Sequence, residues 1–143
     1  MTVTTNKLPE KLSDLIELAL ADLEKVEKNW RYKVNMSKWH RPIWNKWYLP
    51  NMCEVCFAGA VMAGTLGVDI NENIDVRGFN DYIHYRLRAL DSLRVGDVEG
   101  ALEYLRMRQP PVGTIDVTPY EESPLLFRKD LEKIVVYLRK HNL

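Results

Sequence analysis

The sequence predicts a mainly α-helical protein, a single domain of about five helices with an irregular tryptophan-rich loop or small β-hairpin over residues 30–50. Three observations predict it. Long stretches at both ends of the chain carry apolar residues at helical spacing. Residues that start and stop helices (Pro9, Gly67, Asp97, Ser123, Pro124) bracket these and two further stretches. Alternation of the kind a strand needs is confined to a few residues around Tyr32.

Residues 1–8 read as a flexible tail and 9–143 as the domain. From Pro9 onward, LPEKLSDLIELALADLEKVEKN sets Leu12, Leu15, Ile16, Ala19, Leu20, Leu23 and Val26 on one stripe. Acids lie early in this helix and Lys25 and Lys28 late, which complements its dipole. In residues 30–50, Tyr32, Val34 and Met36 alternate with Lys33, Asn35 and Ser37, while Pro42 and Pro50 prevent any long element. Residues 52–66 read as a helix closed by Gly67, and VDINENIDVRG as a polar connector. FNDYIHYRLRALDSLRVGD reads as a long helix with Phe79, Ile83, Leu87, Leu90 and Arg94 on one face. Gly96 and Asp97 turn the chain, and Asp97 caps a short helix, DVEGALEYLRM. A loop with three prolines, RQPPVGTIDVTPYEE, leads to Ser123 as N-cap and Pro124 at the first position of the last helix. That helix takes its stripe from Leu126, Leu131, Ile134, Val135 and Leu138.

Composition excludes several classes of function. The 143 residues are 46% hydrophobic and 28% charged, as in an ordinary soluble domain. Lys and Arg number 20 and so do Asp and Glu, so no global field draws the chain to nucleic acid or to an anionic membrane. An anion site must therefore be local, and a nucleic-acid mimic is excluded. The longest uncharged run, Val55 to Val68, is 14 residues, too short for a bilayer. MTVTTNKLPE lacks the basic start and apolar stretch of a signal peptide, so a cytoplasmic protein with reduced cysteines is expected.

The C-E-V-C of Cys53 and Cys56 would put both sulfurs on one face of a helix. A structural zinc needs four ligands, yet C-x-x-C occurs once and His40, His84 and His141 form no close pair. A redox dithiol normally rides on a βαβ pattern, which is not predicted. A zinc deaminase needs H-x-E, which is absent. The packing reading remains: Cys56, Gly59, Ala60, Ala63 and Gly64 form a face of small side chains that lets another backbone approach. No metal or cofactor is expected.

Binding residues are sought in two places. In KWHRPIWNKWYLP, Trp39, Trp44, Trp47 and Tyr48 interleave with Lys38, His40, Arg41, Asn45 and Lys46. Rings stack on bases and cations meet phosphates, and the same tryptophans are also the residues that anchor protein interfaces. The plainer alternative is that these rings cap the core. On the following helix, Tyr82, Tyr85, Arg86 and Arg88 lie off the apolar stripe, where a guanidinium fork suits phosphate or carboxylate. Arg77, Arg106 and Arg108 are candidates to join that face. No catalytic residue is expected, because no nucleophile elbow, P-loop, dinucleotide fingerprint or H-E-x-x-H is present.

The pattern C-x-V-C-x-A-G-A-V-M-A-x-T-L, Cys53 to Leu66, resembles small uncharacterised proteins encoded by tailed bacteriophages. The similarity extends to LADLEKVE, to W-H-R-P and to A-L-D-S-L-R-V-G. The resemblance implies a cytoplasmic accessory or counter-defence protein of infected bacteria and transfers no activity. The expected function is to bind and sequester a small nucleotide-type immune signal without catalysis. Trp39, Trp44, Trp47 or Tyr82 would stack a base, and Arg41, Arg86 or Arg88 would pair phosphates. A homo-oligomer is expected, since a small chain gains a deep pocket most easily between subunits. The alternative is a module that inhibits or redirects a host protein through an exposed aromatic patch.

Overall fold

The computed structural model describes residues 8–44, 46–74, 85–107 and 114–143. Helix α1, Leu12–Glu27, is the spine, and the stripe predicted for it is buried throughout. It packs against α2, Phe57–Ala63, and α5, Pro124–Lys140. Ser123 caps α5 as its sequence predicts, its hydroxyl accepting from the Leu126 N–H at 3.2 Å. Leu8, placed in the tail by sequence, is buried in the core. The rest of that tail, residues 1–7, lies outside the described residues.

The fold class requires a correction. The chain is α/β rather than mainly α: helices dominate, but a three-stranded mixed sheet joins them. Its strands are β1, Tyr32–Val34; β2, His40–Ile43; and β3, Met52–Val55, in the order β1-β3-β2. β1 runs parallel to β3, with Tyr32 opposite Cys53, and β2 runs antiparallel to it, with His40 opposite Val55 and Ile43 opposite Met52. The helix expected over 52–66 thus yields its first residues to the central strand. Cys53 and Val55 point into the core while Met52 and Glu54 stay half-buried, a period of two hidden at the start of an apolar run. Periodicity alone does not separate a short buried strand from a helix. α2 begins only at Phe57, with Cys56 as its N-cap, and ends at Ala63 with Gly64, rather than Gly67, as its C-cap. Pro42 is tolerated because β2 is an edge strand.

α3, Tyr85–Leu93, and α4, Val98–Tyr104, pack as a helical hairpin. Gly96 turns between them at φ +79°, and the Asp97 carboxylate caps α4 by accepting from the Gly100 N–H at 2.9 Å. The start expected for α3, at Phe79, lies outside the described residues. Phe57 meets Phe127 edge to face in the core, with ring centroids 5.6 Å apart. One buried carboxylate ties α1 to the end of α2: Asp22 accepts from the Thr65 N–H at 3.1 Å and from its hydroxyl at 2.6 Å. The close backbone approach expected of the small-residue face occurs at Gly59. A Cβ there would overlap the carbonyl of Trp39. That contact seats α2 against the turn leading into β2. Among the described residues, no helix is long and apolar enough to cross a membrane.

Candidate functional site

The β2–β3 ladder has a closed end and an open end. At the closed end His40 is fully buried. Its Nδ1–H donates to the Glu72 carbonyl at 2.6 Å, and its backbone pairs in both directions with Ile74. Cys53 Sγ lies 3.6 Å from Nδ1, and the Tyr32 ring stands edge-on with centroids 6.2 Å apart. Burial holds the imidazole below its ordinary value, against the opposing pull of the Glu72 carbonyl, so it is neutral at pH 7. Burial also pushes the thiols of Cys53 and Cys56 up to about 12. Cys56 spends its sulfur on the helix start, accepting from the Gly59 N–H at 3.3 Å. Both cysteines are free thiols. This is a histidine–thiol contact without the exposed thiolate that nucleophilic catalysis needs. Among the described residues, no three His, Cys, Asp or Glu side chains are placed to hold a metal ion.

At the open end the chain leaves β2 through Ile43 and returns at Met52. Between them Trp44 is 77% exposed and Trp47 96% exposed, and Tyr48 and Leu49 are exposed beside them. Trp47 packs edge-to-face on Tyr48 at 5.5 Å, and the Lys46 ammonium sits 5.9 Å from the centre of the Tyr48 ring. Trp30, 65% exposed, joins this end. It directly precedes Arg31, whose carbonyl accepts from the Cys53 N–H at 2.7 Å and whose Nε–H donates to the Asn51 carbonyl at 2.9 Å. Parallel pairing of β1 with β3 therefore places Trp30 at the same end of the sheet as the hairpin tip. Two cations, Arg31 and Lys46, lie at this end, whereas Lys33 and Arg41 stand on either side of Glu54 in the ladder and Lys38 precedes the closed end.

The residues predicted for binding divide accordingly. Trp44, Trp47 and Tyr48 are exposed at the tip, and Arg41 is exposed within the ladder opposite Glu54, next to the closed end. Trp39 is half-buried against the core, and His40 is inside it. Tyr82 lies outside the described residues. Tyr85 is exposed, with the Arg86 guanidinium 5.1 Å from its ring centre, and Arg86 and Arg88 are half-buried.

Tyr85 belongs to a second region. A cavity of about 530 Å³ is lined by Tyr85 from the start of α3 and by Glu103, Tyr104, Leu105 and Arg106 from the end of α4. Among the described residues, none of its lining comes from the hairpin. Among the described residues, the hairpin tip and the lining of this cavity have no residue in common. Sequence reasoning left out Trp30 and Tyr104. Trp30 is brought in by parallel pairing, which no local pattern encodes. Tyr104 is brought in by folding α4 back along α3, and its one signal was the Gly96–Asp97 turn. No protein-family model, curated protein or solved structure matches this chain, so function is read from its own chemistry.

Proposed function

We propose that the chain is a non-catalytic docking protein that engages a partner protein through the aromatic tip of the β2–β3 hairpin. In the phage setting that the motif resemblance implies, the partner is a host protein that the chain inhibits or redirects. One observation carries the reading: Trp30, Trp44, Trp47 and Tyr48 are all exposed at one end of the sheet. Large rings left in water lose the free energy that burial would return, about 25 cal/mol per Å² of apolar surface. Tryptophan and tyrosine are also the residues that dominate interface energetics. The two cations beside them, Arg31 and Lys46, suit an acidic rim on the partner. Both thiols are buried and protonated and His40 is buried and neutral, so these three groups serve the core rather than the tip.

The test compares wild-type chain with the Trp44→Ala, Trp47→Ala double variant. A partner retained from host lysate is purified and its affinity for both forms is measured. Hot-spot rings cost about 2 kcal/mol or more each when truncated, so the double variant should bind at least a hundredfold more weakly. Equal affinity for the two forms overturns the reading. A second copy of the chain is the rival occupant of the patch. Sedimentation separates the cases, because self-association through the tip would make the wild type oligomeric and the double variant monomeric.

The nucleotide reading is favoured by a different feature, the cavity between α3 and α4.

A further inference from the structure

We infer that the α3–α4 cavity is a binding site for a nucleoside phosphate, with Tyr85 and Tyr104 holding the planar base and the Arg106 guanidinium holding the phosphate. The inference stands on the described lining of that cavity and is independent of docking through the hairpin.

The argument begins with the backbone of Arg106. Three described helices end in the same motif, in which a left-handed residue and its successor donate back to the last turn. After α3, Gly96 donates to Leu93 at 3.0 Å and Asp97 to Ser92 at 3.1 Å. After α5, Asn142 donates to Arg139 at 3.2 Å and Leu143 to Leu138 at 3.0 Å. After α4, Arg106 donates to Glu103 at 2.9 Å and Met107 to Leu102 at 3.0 Å. The left-handed residues are Gly96 at φ +79°, Asn142 at φ +57° and Arg106 at φ +55°. Glycine and asparagine are the residues that tolerate this conformation, and arginine is strained in it. The turn would close with less strain around glycine. The backbone therefore supplies no reason for an arginine here, whereas the cavity that Arg106 lines supplies one.

The rest of the lining agrees on the class of ligand. The volume falls in the range of ~300–1,000 Å³ typical of small-molecule sites. Tyr85 and Tyr104 come from facing ends of two packed helices, and both are exposed. The Tyr104 ring offers a π face to a heteroaromatic plane, and the Tyr85 ring, with the Arg86 guanidinium 5.1 Å from its centre, adds aromatic surface to the same cavity. Leu105 adds apolar surface. Arg106 presents a planar fork that matches phosphate oxygens in pairs. Glu103 can only accept while ionised, so it suits a ring amine or a sugar hydroxyl and repels phosphate. That repulsion sets the direction of the ligand, with base and sugar toward Glu103 and phosphate toward Arg106. A ligand with a planar donor-bearing ring at one end and an anion at the other is a nucleotide.

The experiment titrates the full chain with AMP by calorimetry, with adenosine and inorganic phosphate as the two halves. ADP-ribose and a cyclic dinucleotide distinguish a mononucleotide site from one for a larger nucleotide. AMP or a larger nucleotide should bind saturably, adenosine at least tenfold more weakly, and phosphate alone not measurably. Arg106→Gly relieves the backbone, so its melting temperature should rise. Its affinity for AMP should fall at least tenfold, to that of adenosine. Tyr104→Ala should weaken AMP and adenosine by the same factor. Absence of saturable binding by every nucleotide at millimolar concentration overturns the inference, as does unchanged affinity in Arg106→Gly. The Trp44→Ala, Trp47→Ala variant should titrate like the wild type. A nucleotide response lost in that variant would show that the hairpin is the ligand site and overturn the assignment to the cavity.

Discussion

His40 and Trp47 belong to one aromatic, basic segment, and the fold treats them oppositely. His40 stands opposite Val55 at one end of the β2–β3 ladder, with no surface exposed. Trp47 lies past the other end, beyond the pair Ile43 and Met52, with nearly all its surface in water. What lies beyond each end makes the difference. Gly59 lets α2 seat on the Trp39 carbonyl, and the 69–74 stretch closes over His40 through Ile74 and Glu72. No element packs over Trp47 to an extent that buries it. Substitutions at the closed end should therefore be felt in stability, and substitutions at the open end in binding.

The strongest way to break this contrast is Gly59→Ala. The added methyl has no space, because its neighbour is backbone rather than a mobile side chain. A loss of about 3 kcal/mol or more is expected in urea melts, at the upper end of overpacking effects. Ala60→Leu, at a fully buried position beside it, should cost about 1–3 kcal/mol. A Gly59→Ala protein as stable as the wild type would mean that α2 does not rest on the Trp39 carbonyl.

Acid should act on the closed end next. Folded His40 titrates below its ordinary 6.5, so the unfolded chain takes up a proton first as the pH falls. Its contribution is complete above 6.5 and is lost progressively below it, until the folded imidazole also protonates. Denaturation midpoints should therefore drop between pH 7 and pH 5. His40→Gln keeps a donor toward Glu72 and cannot titrate; it should be less stable at pH 7 and lose that part of the slope. An unchanged slope would place the acid sensitivity elsewhere.

A smaller effect is expected of the cysteines. Cys53→Ser with Cys56→Ala should cost about 1–2 kcal/mol together, because two small buried groups are exchanged and one helix-start bond is lost. The native thiols, held up to about 12, should resist a thiol reagent at neutral pH and react only on unfolding. A chelator should leave the melting temperature unchanged. Chelator sensitivity together with collapse of the double variant would identify a metal clasp.

The smallest effect on stability belongs to the tip. Trp47→Ala should change the unfolding free energy by no more than about 0.5 kcal/mol, because its ring is 96% exposed and its contact with Tyr48 is itself on the surface. The same variant carries the largest expected loss of partner affinity. A marked loss of stability would place Trp47 in the fold rather than on an interface.

What the sequence by itself determined was local. The stripe of α1, the stripe of α5 apart from Leu126, which is exposed while Phe127 is buried in its place, the Asp97 and Ser123 caps and the Gly96 turn are each readable because a few neighbouring residues decide them. The closeness of another backbone to the small-residue face was also legible, because only small side chains were there to permit it. The tertiary structure alone decided the strand state of Met52–Val55. That segment sits at the start of an apolar run suited to helix, and becomes a strand because β1 and β2 pair with it from both sides. Pairing of this kind joins residues far apart in the chain and leaves no local period to read. The same holds for the candidate sites. Aromatic and basic chemistry was visible in residues 39–48, but which rings are buried and which are bare depends on the elements that close over His40 and not over Trp47. Trp30 and Tyr104 entered their sites by strand pairing and by helix packing. Arg106 is left-handed only because α4 ends there, a conformation its side chain does not announce.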